Sequence, residues 1–174
     1  MKVLILGLMG AGKSTLAYNI QKRYGIARLN IDEVCRNKDT GEYYTKEQQL
    51  EKQKQFEKDN AAWVMEGSQK YLYEKVVPDL VVYIKVSRLV AAWRFTLRFF
   101  KAKKLIGKQI DSDLPVQAYH YRKPTLKKIM EWDTSNGIIQ KEINSYLKDK
   151  NNCFIVKNKK DFVDLFERLD TKRA

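Results

Sequence analysis

The stretch Gly7-Leu-Met-Gly-Ala-Gly-Lys-Ser-Thr15 decides the fold of this chain. It matches the pattern GxxxxGK[ST] and lies between an apolar run, Val3–Leu6, and a helix-like segment, Ser14–Tyr24, closed by Gly25. Small residues let the backbone curl so that its N–H groups converge on phosphate oxygens at the start of a helix. Because the pattern stands between a predicted strand and a predicted helix, it predicts a phosphate-binding loop rather than an ordinary glycine-rich turn.

This pattern, the Walker A motif or P-loop, assigns roles to individual residues. Lys13 is placed to reach the β- and γ-phosphates, and the Ser14 hydroxyl is placed to ligate magnesium. The predicted nucleotide-binding residues are Gly7, Gly10, Ala11, Gly12, Lys13, Ser14 and Thr15. We therefore expect ATP and Mg²⁺ to be the cofactors.

The composition fits one globular domain of 174 residues, 44% of them hydrophobic and 32% charged. Lys and Arg number 34 against 21 acidic residues, a formal net charge of +13. Such a field attracts polyanions: nucleotides, nucleic acid or an acidic membrane surface. A solvated, lysine-rich face explains the same charge equally well, so the charge alone does not identify a partner.

Cysteine usage and hydropathy both predict a cytoplasmic protein. Cys35 and Cys153 form no CxxC or Cys/His cluster, which argues against a disulfide scaffold or a zinc site and favours free thiols in a reducing compartment. No apolar run approaches the ~20 residues that a membrane-spanning helix needs. The apolar start of the chain continues into the glycine loop without a cleavage site, so we do not expect a signal peptide.

Strand and helix patterns alternate along the rest of the chain. Further strands are predicted at Ile26–Ile31, Ala61–Met65, Leu80–Val86 and Cys153–Val156. Further helices are predicted at Thr45–Asn60, Ser87–Lys104, Pro124–Lys150 with an interruption near Asp133–Gly137, and Lys160–Leu169. Alternation of this kind implies right-handed crossovers. The prediction is an α/β P-loop NTPase fold: a five-stranded parallel sheet with helices on both faces, in a single domain, 1–174, with a short lid-like segment at about 101–124.

A second motif of nucleotide-binding proteins occurs near the end of the chain. Asn158-Lys-Lys-Asp161 follows the last predicted strand and matches the NKxD motif of GTPases. No DxxG segment stands at a strand end, and few residues follow Asp161. In a lysine-rich chain NKxD also arises by chance, so a GTPase is disfavoured.

The chain resembles the adenylate-kinase-like group of P-loop kinases over nearly its whole length. The third strand of those enzymes ends in an acidic residue and Gly, as Trp63-Val-Met-Glu66-Gly67 does here. Their fourth strand leads into a helix with two arginines one turn apart, matched here by Arg94 and Arg98. More narrowly, WVMEGS, DLVVYIKVSR and the basic helix are similar to bacterial proteins labelled DNA topology modulation proteins, a label that states an association and no chemistry.

The resemblance implies roles for several residues beyond the loop. Glu66 would hold a magnesium-bound water beside Ser14, although a strand-end acid also serves to cap the next turn. Arg94 and Arg98 would grip the triphosphate, since phosphoryl transfer depends on positioning and charge neutralisation. The structural alternative for both arginines is a solvated basic helix face.

The residues predicted to bind the phosphoryl acceptor point to two different classes of acceptor. Arg36 matches an arginine that binds the acceptor phosphate in nucleoside monophosphate kinases, and Lys70 stands where that group usually has another arginine. Lys70 departs from the pattern because lysine lacks the bidentate fork. Asp32 departs from it too: monophosphate kinases prefer a small residue there, whereas kinases of hydroxyl acceptors often carry an Asp as base. Asp32 beside Glu33 serves equally well as a helix cap, and both roles stay open.

We therefore predict an ATP-dependent phosphotransferase that moves the γ-phosphoryl group to a small, nucleotide-like acceptor. The predicted catalytic residues are Lys13, Asp32, Arg94 and Arg98; the acceptor-binding residues are Asp32, Arg36 and Lys70; and the metal ligands are Ser14 and Glu66. One alternative is a hydroxyl-acceptor kinase acting on a nucleoside, a metabolite or a polynucleotide end. Another is an ATP-binding, nucleic-acid-associated protein, for which Gln117–Lys123 offers tyrosines and cations for base stacking.

Overall fold

The computed structural model of the chain describes the backbone of residues 1–35, 37, 40, 42–105 and 126–171. Within these ranges, the side chains of residues 33, 95, 98–105 and 126–134 are not described. The predictions for Arg36, for the side chain of Arg98, for Gln117–Lys123 and for most of the lid-like segment 101–124 lie outside the described part.

Five parallel strands form the sheet, as predicted. They are β1 (Lys2–Gly7), β2 (Ala27–Asn30), β3 (Trp63–Glu66), β4 (Leu80–Ile84) and β5 (Cys153–Val156), in the order β2-β3-β1-β4-β5. The apolar β1 lies at the centre, where a strand is covered on both faces. Because all five strands run the same way, their carboxyl ends share one edge of the sheet.

The described helices are α1 (Lys13–Tyr24), α2 (Ile31–Val34), α3 (Lys46–Asp59), α4 (Lys70–Tyr73), α5 (Arg88–Leu105), α6 (Leu126–Leu147) and α7 (Lys159–Thr171). The sequence patterns did not predict the two one-turn helices, α2 and α4. Thr45 caps α3: its hydroxyl accepts a hydrogen bond from Gln48 N, and the Gln48 side chain accepts one from Thr45 N. No described helix has the length and apolarity to cross a membrane.

The predicted interruption of α6 near Asp133–Gly137 is wrong. The helix runs through this stretch without a break. A Cβ at Gly137 would make an ordinary contact with Arg88 Nη1, at 3.4 Å, and the neighbouring Asn136 is fully buried. Tertiary packing therefore overrides the turn-forming tendency of these residues.

The core has two layers, one on each face of the sheet, because successive strand residues point to opposite faces. Val3 and Ile5 of β1 pack in the layer that contains residues of α1 and α7. Leu4 and Leu6 pack in the layer that contains residues of α2, α4 and α6. This confirms helices on both faces, and residues 8–12 carry the chain from the carboxyl end of β1 to the start of α1.

Candidate active site

The glycine loop joins β1 to α1 with a backbone that glycine allows. Gly10 and Gly12 have φ angles of 83° and 105°, which L side chains rarely adopt, and Gly12 stands directly before α1. A Cβ on Gly10 would lie 2.4 Å from the carbonyl oxygen of Ala91 in α5. The glycines therefore allow both the tight curl of the loop and its close contact with a neighbouring helix.

Lys13 lies across this loop and is 7% exposed. Its Nζ donates hydrogen bonds to the carbonyl oxygens of Gly7 at 3.1 Å and Leu8 at 3.2 Å. The loop carbonyls thus hold the ammonium group at the loop that leads into the start of α1. Both features attract a phosphate, one by its charge and the other by the helix dipole and the N–H groups of the first turn.

Glu66 ends β3 beside the loop and is 2% exposed. Burial raises the pKa of its carboxyl group, while the charge of Lys13 and a hydrogen bond with Ser14 act in the opposite direction. Its Oε1 has no hydrogen-bond partner among the described residues. The described backbone after β3 donates no hydrogen bond to it, so the alternative role of capping the next turn is not seen.

Asp32 comes to the same edge of the sheet through α2. Its backbone N–H donates to Oδ1 of Asn30 at 2.9 Å, so Asn30 takes the capping role that the sequence left open for Asp32. The Asp32 Oδ1 instead accepts a hydrogen bond from Ser68 N at 3.3 Å. Gly67 makes this approach possible, since a Cβ there would lie 2.7 Å from the Cβ of Ile31. A Cβ on Gly67, the residue after Glu66, would lie 3.4 Å from Asp32 Oδ1, and the negative charge of Asp32 contributes to the raised pKa of Glu66.

The two arginines of α5 are only partly described. Arg94 donates a hydrogen bond from Nη1 to the carbonyl oxygen of Ala11 at 3.2 Å, and the residue is exposed. A contact with the glycine loop is not expected of a purely solvated helix face. Arg98 lies one turn later on the same helix, but its side chain is outside the described part of the chain.

Lys70 begins α4, and the structure pairs it within that helix. Its Nζ lies 3.8 Å from Oε1 of Glu74, and both side chains are about two-fifths exposed. Surface pairs of this kind hold a side chain weakly. The structure therefore does not bring the Lys70 ammonium group into a described contact with the glycine loop or Asp32, and its acceptor role stays a prediction.

The NKxD motif has a local structural explanation. The side chain of Asn158 accepts hydrogen bonds from the backbone N–H groups of Lys160 and Asp161 at the start of α7. In return, the Asp161 carboxylate accepts from the N–H groups of Lys157 and Asn158. This reciprocal arrangement caps α7 and lowers the pKa of Asp161. The motif residues are thus engaged in capping, which is consistent with disfavouring a GTPase.

Sequence reasoning missed Asn136, which contacts the loop from α6. It is fully buried, and its Oδ1 accepts a hydrogen bond from Met9 N at 3.3 Å. In the sequence, Asn136 stands in a polar, turn-forming cluster, Asp133–Gly137. Taken by itself, that cluster favours an interruption of the helix and gives no sign of a buried contact.

Comparison with known proteins shows the class of fold that carries this site. No protein-family model matches the chain, and no curated protein matches it in sequence. Its structure is similar to that of deoxyadenosine kinase from M. mycoides with products dCMP and a flexible dCDP bound, with a TM-score of 0.55 and 17% identity. It is also similar to the same kinase with bound dATP, with a TM-score of 0.58 and 18% identity. Each comparison covers 98% of this chain and 100% of the other.

These similarities confirm the P-loop NTPase fold that the glycine loop predicted. The narrower resemblance to DNA topology modulation proteins has no support from sequence comparison. Association with nucleic acid, which the sequence left open as an alternative, has no support from the comparisons either.

Proposed function

We propose that this chain is an ATP-dependent kinase that transfers the γ-phosphoryl group to a hydroxyl group of a nucleoside or a similarly small acceptor. The observation that carries the proposal is the placement of the Asp32 carboxylate. It lies beside Glu66 at the sheet edge that bears the glycine loop. Asn30, and not Asp32, caps α2, so the Asp32 carboxylate is available for another role. The similarity in fold to a deoxyadenosine kinase supports the same choice.

A hydroxyl acceptor thus ranks above the nucleotide-like acceptor that the sequence favoured. A phosphate acceptor is already ionised at neutral pH and needs no base, whereas a hydroxyl must lose its proton during transfer. Of the two cations suited to an acceptor phosphate, Lys70 pairs with Glu74 and Arg36 lies outside the described residues. The Asp32 carboxylate is thus better supported than the Lys70 ammonium group, and the role of Arg36 stays a prediction.

The residues of the loop supply the phosphate-binding half of the reaction. The amides at the start of α1 and the Lys13 ammonium group would hold the β- and γ-phosphates, and Arg94 would reach them from α5. The acceptor oxygen forms a bond to the γ-phosphorus as the bond to the β-phosphate oxygen breaks and ADP leaves. Asp32 would accept the proton that the acceptor hydroxyl loses.

Magnesium fits the residues beside the loop. The Ser14 hydroxyl and the unpartnered Oε1 of Glu66 are oxygen donors, the type that Mg²⁺ prefers, and Glu66 would act through a bound water. When bound, the ion supplies positive charge to the β- and γ-phosphate oxygens. No group of three or more metal-ligating side chains is found among the described residues.

The experiment that tests the proposal is a screen of acceptors with radiolabelled ATP and Mg²⁺. The acceptors are deoxyadenosine and the other nucleosides, the nucleoside monophosphates and short oligonucleotides with free 5′-hydroxyl groups. Label on a nucleoside hydroxyl supports the proposal. Label on a monophosphate, giving a diphosphate, would return the acceptor to the nucleotide class. Salt-dependent retention of DNA or RNA without labelling of any acceptor would instead favour the nucleic-acid-associated alternative.

A further inference from the structure

We propose that Asn136 is a positioning residue for the bound nucleotide, because it sets the orientation of one peptide group in the glycine loop. The inference deepens the proposed function and rests on nucleotide binding by that loop. It concerns a residue of α6, about 120 residues after the loop in sequence, that the loop motif does not contain.

The peptide group between Leu8 and Met9 is held on both sides. Its N–H belongs to Met9 and donates to Oδ1 of Asn136 at 3.3 Å. Its carbonyl oxygen belongs to Leu8 and accepts from Nζ of Lys13 at 3.2 Å. Because a peptide group is planar and rigid, hydrogen bonds on its two opposite sides together fix its orientation. Asn136 and Lys13 are therefore coupled through it, although they do not touch each other.

Helix packing also positions the neighbouring part of the loop. Gly10 approaches Ala91 of α5 so closely that a Cβ would lie 2.4 Å from its carbonyl oxygen. Met9 is held from α6 by Asn136. The tip of the loop thus lies between α5 and α6, and its position depends on both helices as well as on its own glycines.

An amide at position 136 is unfavourable for folding alone. Asn136 has no solvent exposure, asparagine is a poor former of helix interiors, and its Nδ2 has no hydrogen-bond partner among the described residues. Leucine has the same branching and carries no unpaired amide, although its greater volume requires the site to adjust. It cannot accept a hydrogen bond, and acceptance from Met9 is the one described polar contact that Asn136 makes.

Loss of the Asn136 acceptor would disturb the loop in a defined way. The Met9 N–H would be left without its partner, and the peptide group would be held only on its carbonyl side, where the Leu8 oxygen accepts from Lys13 Nζ and from Ala11 N. Tilting of the peptide group toward another acceptor would weaken the bond between the Leu8 carbonyl and the Lys13 ammonium group. The lysine would keep its bond to the Gly7 carbonyl but would be held less firmly at the loop, so affinity for the phosphates of a nucleotide would fall.

The test compares Asn136→Leu with Asn152→Leu. Asn152 also bonds the backbone through its side chain, donating to the Pro78 carbonyl oxygen at 2.8 Å, but it stands before β5 at the opposite edge of the sheet. We expect both variants to melt at a lower temperature. Only Asn136→Leu should weaken ADP binding measured by calorimetry, by about tenfold or more. The KM for ATP should rise by a similar factor while the KM for the acceptor stays unchanged.

An ADP dissociation constant equal to that of the wild type in Asn136→Leu would overturn the inference and leave Asn136 a residue of the fold alone. If Asn136→Leu does not fold, Asn136→Ala compared with Asn152→Ala is judged by the same criterion. ADP binding also separates this inference from the proposed function. A wild-type protein that binds ADP but phosphorylates no nucleoside would refute the proposed nucleoside acceptor. The positioning role of Asn136 could still be tested by ADP binding. One that binds no ADP would overturn both.

Discussion

The guanidinium group of Arg94 donates a hydrogen bond to the backbone carbonyl of Ala11, joining α5 to the glycine loop at 3.2 Å. A carbonyl oxygen is a weak partner for a guanidinium compared with a phosphate, to which arginine binds in a charged and bidentate manner. The contact therefore places a cation at the loop that is available for a stronger anionic partner. This gives the predicted role of Arg94 a geometric basis.

We expect Arg94→Ala to lower kcat by roughly 10³-fold, the scale on which loss of a phosphate-binding arginine acts in phosphoryl transfer. The fold should survive, because the side chain is mostly exposed. Steady-state kinetics and thermal melting measure the two effects. Arg23→Ala is a suitable control, since Arg23 lies near the far end of α1 in a surface ion pair with Asp170. A variant of Arg94 with wild-type turnover would assign this arginine to the solvated surface.

Lys13 is expected to contribute to nucleotide affinity, because its ammonium group is held over the loop. Lys13→Ala should weaken ATP binding by about 100-fold or more. The substitution removes the charge-assisted hydrogen bonds that the ammonium group would donate to the β- and γ-phosphates. Calorimetry with ATP and Mg²⁺ measures the loss. Lys22→Ala, an exposed lysine on the same helix, should bind ATP as the wild type does. If both variants bind equally well, the loop is not the nucleotide site.

Asp32 and Lys70 distinguish the two classes of acceptor. If the acceptor is a hydroxyl, Asp32→Asn should reduce kcat by about 10²–10⁴, the cost of losing a positioned base, and Lys70→Ala should have little effect. The measurement is single-turnover transfer to the best acceptor found in the screen. Asp149→Asn, at the opposite edge of the sheet, controls for the loss of a surface carboxylate. A mild effect at Asp32 beside a large one at Lys70 or Arg36 would instead identify an acceptor phosphate.

The capping role of Asn158 gives a prediction about nucleotide choice. Asn158→Ala should lower the stability of the protein by about 1 kcal/mol, a typical loss for a helix cap. That corresponds to a fall of roughly 2–4 °C in Tm for a chain of this size. The preference for ATP over GTP should not change, which competition binding can measure. A specific loss of GTP binding in this variant would revive the guanine-recognition interpretation of NKxD.

Asp161 should make this cap sensitive to acid. Its pKa is lowered in the folded state, chiefly by the hydrogen bond from Lys157 N, so its contribution to stability is present above its unfolded value, about 3.8, and is lost as the pH falls through its folded value. The difference in Tm between wild type and Asp161→Ala should therefore be largest near neutral pH and shrink below about pH 4. A difference that does not depend on pH would show that the charge of Asp161 plays no part in capping.

The strands and the loop could be predicted from the sequence because their determinants are local. The run Val3–Leu6 is apolar at every position, as a central strand requires, and GxxxxGK[ST] places its glycines where the backbone must curl. The cap at Thr45 was equally local, since the residues that form it are three apart. For these features, the residues that decide the structure are neighbours along the chain.

The contacts that complete the candidate site join residues far apart in the sequence. Only the tertiary structure determines these contacts. Gly67 packs closely against Ile31, and the neighbouring Asp32 carboxylate accepts a hydrogen bond from Ser68 N. Asn30 caps α2, a role that the sequence pattern predicted equally well for Asp32. The hydrogen bond of Asn136 to Met9 spans 127 positions, and the apparent helix breaker is in fact buried against the loop. Sequence periodicity reports which face of an element is buried. It does not report which backbone group meets a side chain there, because that depends on how the elements pack together.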